Sequence, residues 1–507
     1  MEKIRIKTEG YFVLNKTHEN VAEVLREAFE ESKSALIRGA EKDLENACYV
    51  SDWTISENIL KVSVTSGNLV RAHVGLLRLN KILSKHLGEK LRIGIRNISA
   101  KKFEIQLENK LDEIALNKIK SIPKITTVST EKGDTVIELE TLEEQDLRGN
   151  IIDRLITLVE EVSREKHVAF DQTQPIVKTS EKKQITYSGD PLLTGLELGW
   201  IVNFSGRGQF IYASKYGALF ETIKSILLKE IAQKLGFKPF LLPKLIPFEV
   251  MKKMPGYFDS IPEGMFYVSP PPREPEAFEN FKKEYKIRKE IPIEELKSVL
   301  KDPAYVLAPA QCEPFWQYYS QAAHDSSAYP LKYYDASGYT YRWEGGGVEG
   351  LVRVTEFQRI EMTYVGLPEQ VVEIRDKIVE RGIHVADRIL DLEWRITAAA
   401  PFYAKQASTQ FDPLNSVEVP AYDIEIYLPY RGPREKSEWL EVAGCFVHKK
   451  KFVDAFKIKG SDNSDIWTGC TGLGESRWVA AFLAEKGFKV EDWPAEVRKK
   501  YYEILGE

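Results

Sequence analysis

The sequence predicts an α+β chain in two parts, and three observations carry that prediction. Helical and strand-like apolar spacings alternate through residues 1–165, a polar, irregular stretch over 166–189 reads as a linker, and a larger mixed region fills 190–507. A chain of 507 residues has room for roughly two to four domains, each with its own core. With 43% hydrophobic and 29% charged residues, the composition excludes wholesale disorder. No apolar run approaches the roughly 20 residues that cross a bilayer, so no membrane association is expected, and the start MEKIRIKTEG has no signal-peptide pattern. Only Cys48, Cys312, Cys445 and Cys470 carry thiols, which implies no disulfide framework and fits a reduced, cytoplasmic protein.

In the first part, Val21, Val24, Leu25 and Phe29 place a helix over Asn20 to Ile37, and Ile59 to Val64 alternates as a strand. Leu76 to Leu87 returns to helical spacing. Strand-like runs recur at Lys102 to Leu107 and Thr135 to Leu139, and a last helix is expected over Leu147 to Val162. The net charge of -5 hides an uneven distribution: between Arg71 and Lys102 nine basic side chains face one acid, Glu89. Arg78, Lys81 and Lys85 fall at spacings of three and four, on one helical face, with Arg96 on the extended segment that follows. Such a face can track a phosphate backbone, although a merely solvated basic surface has the same pattern.

In the second part, Leu219 to Leu235 predicts a helix stopped at Gly236, followed by a proline-interrupted extended segment from Phe237 to Ile246. Pro270, Pro271 and Pro272 open a charged insertion over about 270–302 that reads as a helical hairpin. Strand, glycine-rich loop and strand are expected through Arg342-Trp343-Glu344, Gly345 to Gly347, and Leu351 to Val365. Period-2 alternation puts Arg353, Phe357, Arg359 and Glu361 on one face. Further on, Gly472-Leu473-Gly474-Glu475-Ser476-Arg477 leads into Trp478, Val479, Phe482 and Leu483 at helical spacing. Glycines permit close backbone approach, and an arginine opening a helix is placed to meet phosphate.

Three stretches near these elements contain Cys312, Glu361 and Cys470. Two thiolates and a carboxylate bind zinc with a fourth position open, as a working metal needs. On Zn²⁺ they sum to a charge of about -1, which favours an incoming amino group; two buried core thiols are the alternative. His324 is a rival ligand by proximity in sequence.

Arg342-Trp343-Glu344 and Gly472 to Arg477 resemble the second and third motifs of the class II aminoacyl-tRNA synthetases, and Leu241-Leu242-Pro243 is similar to the end of the first. The Cys312, Glu361 and Cys470 trio resembles the atypical, methanogenic-type seryl-tRNA synthetases. Ordinary seryl enzymes carry Thr-x-Glu where this chain has Gln311-Cys312-Glu313. The resemblance implies an antiparallel catalytic sheet flanked by helices, a separate N-terminal α+β tRNA-binding domain, and a homodimer. It implies serine, ATP and serine tRNA as partners, one zinc per subunit, and Mg²⁺ accompanying ATP.

By the same resemblance, ATP would meet Arg342, Glu344, Arg353, Val354, Phe357, Glu441 and Arg477, with Arg342 and Arg477 catalytic. Serine would meet Ala310, Arg342, Arg359, Glu361 and Gln406. The tRNA would meet Arg38, Arg78, Lys81 and Arg96. This chain departs from many seryl enzymes after Glu441, where Ala443-Gly444-Cys445 replaces a serine-rich run. Two rival functions remain at this stage: an amino-acid-activating ligase that loads a carrier protein, and a non-catalytic RNA-binding paralogue.

Overall fold

The computed structural model describes residues 4–507 except 109–110, 112–115, 117–118, 121, 132, 165–173, 207, 344–347, 402–411, 414 and 463. These residues divide into two compact units, 1–171 and 172–507.

In the first unit a seven-stranded antiparallel sheet runs in the order Cys48–Ser56, Ile59–Ser66, Ile4–Leu14, Ile95–Leu107, Asp134–Leu139, Ile125–Glu131, with Leu142–Glu143 also paired to Ile95–Leu107. Helices Val21–Ile37 and Ala72–Leu91 turn Leu25, Phe29, Leu76, Leu79 and Leu83 into one core with Phe12, Val62 and Phe103. Strand Ile4–Leu14 alternates buried and outward positions, yet its inward face includes Thr8 and Gly10, which dilute the apolar signal. Gly10 is required there, because a Cβ would lie 2.4 Å from Leu76 Cδ2. The helix expected over Leu147 to Val162 is two, Glu144–Arg148 and Ile151–Arg164, parted where Asn150 takes φ +54°.

The second unit is built on an eight-stranded sheet in the order Lys238–Pro239, Leu331–Asp335, Ile360–Gly366, Trp467–Leu473, Trp439–Lys449, Ala421–Tyr427, Trp394–Ala399, Ile176–Thr179. All pairs are antiparallel except the first. Helices Ser214–Leu227, Pro368–His384 and Glu475–Lys486 form the main core with this sheet, Trp478, Val479, Phe482 and Leu483 being wholly buried. A second cluster, with Trp316, Phe315, Met265 and Phe452, lies around Cys312 and Cys470.

Three expectations are corrected. Within the stretch read as a linker, Ile176–Thr179 is an edge strand of the large sheet, its hydrogen bonds going to Trp394–Ala399. The strand expected over Leu351 to Val365 is two, Glu356–Gln358 in a ribbon with Tyr339–Tyr341 and Ile360–Gly366 in the large sheet. The chain changes sheets at Arg359, so Arg353, in the turn before the ribbon, does not share a strand face with Glu361. The charged insertion contains helices Glu279–Arg288 and Ile293–Val299. No helix among the described residues is long and apolar enough to cross a membrane.

Candidate active site

Two neighbouring strands and one helix start create the centre of the site. Glu361 lies on Ile360–Gly366, Cys470 on the adjacent Trp467–Leu473, and Cys312 is the residue that caps helix Glu313–Tyr319. Antiparallel register sets Glu361 across from Gly472 and Thr363 across from Cys470. One ligand atom from each of Cys312, Glu361 and Cys470 falls within 4.8 Å of the others, and all three residues are buried. Gly472 is needed opposite Glu361: a Cβ would lie 3.3 Å from both Glu361 Oε2 and Arg359 Cζ.

The polar groups here are buried without enough partners. Neither oxygen of Glu361 accepts a hydrogen bond, and its closest countercharge is Arg359 Nη2, 2.7 Å from Oε2. Glu313 Oε1 accepts from the Ala310 amide at 2.8 Å, while Oε2 has no partner. Arg359 also donates to the Ala310 carbonyl. Gln311 takes φ +71°, a left-handed conformation that costs about 1 kcal/mol in a residue with a side chain, and donates to Thr340 Oγ1 at 2.7 Å.

Electrostatics report the same deficit. Burial, against the pull of Arg359, pushes the Glu361 carboxyl up to about 8, with Glu313 adding to the rise. Burial likewise raises Glu313. The hydrogen bond between the two thiols lowers Cys312 but raises Cys470; burial and Glu361 leave Cys312 raised and Cys470 well above the ordinary thiol value. Fully ionised, these four acids would crowd negative charge around Arg359, with Lys244 adding a weaker pull on Glu313, and a bound cation would offset that charge.

A second cluster is formed around the start of helix Glu475–Lys486, where Ser476 Oγ accepts from the Gln358 amide at 3.3 Å. Arg353, Val354, Phe357, Ser476 and Arg477 line one small pocket, beside the start of helix Glu475–Lys486. Arg477 donates to the Glu441 carbonyl at 3.0 Å and lies 3.6 Å from its carboxylate. Glu441 and Glu425 are cross-strand partners, and Asp423, buried beside them, is pushed well up by burial first and then by those two carboxylates. Arg342 donates from Nε to the Pro309 carbonyl at 3.2 Å, on the Ala310 side.

The structure therefore gathers Ala310, Cys312, Arg342, Arg359, Glu361 and Cys470 in one neighbourhood, and Arg353, Val354, Phe357, Glu441 and Arg477 in another. Glu344 and Gln406 lie outside the described residues. His324 does not join the metal group; its Nε2 pairs with the Tyr319 carbonyl at 2.8 Å. Sequence reasoning missed His448, whose Nε2 lies 3.3 Å from Cys470 Sγ. Burial, helped by Lys451, depresses this imidazole to about 3, so it is neutral. No motif announces it, because its position depends on a local irregularity in the strand.

In the first unit, the basic tract separates into two groups. Arg71 pairs with Asp153 at 2.5 Å, Lys102 with Glu9 at 3.2 Å, and Lys90 with Glu27. Arg78 donates to the carbonyls of Ala35 and Arg38 at 2.9 and 2.7 Å, closing the C-terminus of helix Val21–Ile37. Lys81, Lys85, Arg92 and Arg96 make no ion pair among the described residues; Lys81, Lys85 and Arg96 are exposed, as is Arg38.

The tRNA-binding domain family matches residues 4–161, and the tRNA synthetase class II core domain family (G, H, P, S and T) matches residues 298–486. Over 509 residues the chain is 38% identical to the type-2 serine–tRNA ligase of Methanocaldococcus jannaschii, covering 98% of this chain and 96% of that protein. It is also 38% identical, over 500 residues, to the type-2 serine–tRNA ligase of Methanothermobacter thermautotrophicus, covering 97% and 96%. A solved structure of M. kandleri SerRS in complex with A. aeolicus tRNASec superposes with a TM-score of 0.88 at 34% identity, covering 100% of this chain and 98% of that one.

Proposed function

The chain belongs to the type-2 serine–tRNA ligases, a class II synthetase family, and on that footing we propose that it activates serine at the site around Cys312, Glu361 and Cys470. Serine's carboxylate attacks the α-phosphate of ATP, giving seryl-adenylate and pyrophosphate. The terminal ribose hydroxyl of serine tRNA then takes the seryl group, and AMP leaves.

The observation that carries this reading is the buried trio itself. The three donors suit Zn²⁺, and Glu361, ion-paired to Arg359 but with neither oxygen accepting a hydrogen bond, fits a group held by a cation. Cys312, Glu361 and Cys470 would hold Zn²⁺, which would supply a Lewis acid for the serine amino group. Ala310 and Arg359 line the serine pocket, and Gln406 contributes a polar contact that selects a hydroxyl. Arg342 bridges the serine carboxylate and the α-phosphate, stabilising charge as it develops. Phe357 stacks on adenine, Val354 packs nearby, and Glu344 receives the adenine amino group. Arg353 and Arg477 hold the outer phosphates, while Glu441, cross-strand partner of Glu425 and close to the buried Asp423, would hold Mg²⁺ on ATP. Catalysis is positioning and charge stabilisation, with no protein nucleophile.

Arg38, Arg78, Lys81 and Arg96 are assigned to serine tRNA, and the tRNA-binding match over residues 4–161 supports RNA rather than a carrier protein as acceptor. A homodimer is supported by exposed apolar side chains on the second unit, Leu193, Phe204, Ile211 and Leu241, the last 85% exposed. All four cysteines are free and buried, consistent with a reducing, cytoplasmic setting.

The test is amino-acid-dependent ATP–pyrophosphate exchange, with and without serine tRNA and a zinc chelator. Serine-specific exchange that chelation abolishes and Zn²⁺ restores is expected. Exchange with a different amino acid would overturn the specificity, and full activity after complete metal removal would overturn the metal's role.

A further inference from the structure

His448 is the extra residue of a β-bulge. Val447 pairs with Gly469 and Lys449 with Thr468, so one side chain on this strand has no counterpart on the next. A bulge re-aims the side chain it carries. The imidazole is held among Phe446, Phe452 and Trp316, at ring separations of 5.9, 4.4 and 5.8 Å. From that apolar box Nε2 reaches Cys470 Sγ at 3.3 Å. His448 is not one of the residues whose donor atoms converge within 4.8 Å, so it touches the Cys470 thiol without joining that group.

We propose that His448 is a positioning residue for the metal site: it donates an Nε2–H hydrogen bond to the Cys470 thiolate and so fixes both the direction and the electron donation of that ligand. This rests on the reading of Cys312, Glu361 and Cys470 as metal ligands. A thiolate has no proton to give, so the bond requires the Nε2–H tautomer. A donor at sulfur withdraws charge from it, leaving the metal a stronger acceptor for a fourth ligand. A donor of this kind behind a ligand is typically worth about 10- to 100-fold in metal affinity.

The experiment compares full-length wild type, His448→Phe and His448→Gln. The phenylalanine keeps the aromatic packing without a donor, and the glutamine restores one. Zn²⁺ affinity is read by competition with a chromophoric chelator, and the sulfur-to-metal charge-transfer band is read in the Co²⁺-loaded proteins. His448→Phe is expected to weaken Zn²⁺ about 10- to 100-fold and to move the Co²⁺ band to lower energy. His448→Gln is expected to recover most of both. Wild-type metal binding together with an unchanged affinity and band in His448→Phe would overturn the role of His448 alone. Absence of Zn²⁺ and Co²⁺ binding by the wild type would overturn the metal reading and this inference with it. If His448→Phe fails to fold, His448→Leu is read against the same two outcomes.

Discussion

The two units handle polar groups in opposite ways. In the first, Lys81, Lys85 and Arg96 are exposed and make no ion pair among the described residues, while Arg78, on the same helix as Lys81 and Lys85, donates to two carbonyls of the fold. In the second, Glu361 and Glu313 are wholly buried with oxygens left unsatisfied. An exposed charge costs the fold almost nothing and acts at a distance through its field, so it suits a long polyanion whose contacts need not be exact. A buried carboxylate oxygen without a hydrogen bond costs about 1–3 kcal/mol, a cost that a bound cation would offset. The first arrangement binds through salt-sensitive attraction, the second through geometry.

The largest effect that separates the two comes from the metal group. Cys470→Ala or Cys312→Ala should leave circular dichroism unchanged while lowering serine-dependent pyrophosphate exchange by about 10³-fold, and bound zinc measured by mass spectrometry should fall with it. Binding of tRNA in a filter assay should be spared. Next in size is Gly472→Ala, where the added methyl crowds Arg359 and Glu361. It should raise the KM for serine about 10- to 100-fold with a smaller effect on the KM for ATP; an equal effect on both would mean that the strand, not the pocket, had moved.

The comparison sharpens within the first unit. Lys81→Ala with Arg96→Ala should weaken tRNA binding and reduce the slope of log affinity against log salt by about 0.7–0.9 per cation, leaving adenylate formation intact. Arg78→Ala removes two backbone contacts as well, and should lower the urea stability of this unit by about 1–2 kcal/mol. If the three substitutions behave alike in both assays, the division between structural and RNA-facing cations is wrong.

The smallest effect concerns Glu9, held at about 2 by Lys61 at 2.8 Å, with Tyr11 and Lys102 assisting against burial. A folded value below the unfolded one means stability that is present above about pH 4.5 and lost as pH falls towards 2. Glu9→Gln should therefore cost about 1 kcal/mol at pH 7 and nothing near pH 2, measured by urea unfolding.

Much of the fold was legible because it repeats locally. Helix Val21–Ile37 and strand Ile59–Ser66 show their buried residues at periods of about 3.6 and 2, as the sequence spacing requires. Strand Ile4–Leu14 escaped because Thr8 and Gly10 stand on its inward face, where packing against Leu76 demands a residue without a side chain. Glycine motifs and the cysteines drew attention to stretches that the fold brings together, since few residue types can approach phosphate or hold zinc.

By itself, then, the sequence singled out the candidates for the chemistry: Cys312, Glu361 and Cys470 as proposed ligands, Arg342 and Arg477 as proposed phosphate-facing cations, and a basic tract proposed for RNA. Only the tertiary structure decided how they meet. Cross-strand register places Glu361 beside Gly472, a sheet change at Arg359 separates it from Arg353, and a bulge turns His448 onto Cys470. Residue type is a local property of the chain, whereas register and bulges follow from hydrogen bonding between separate strands and leave no mark in either strand alone.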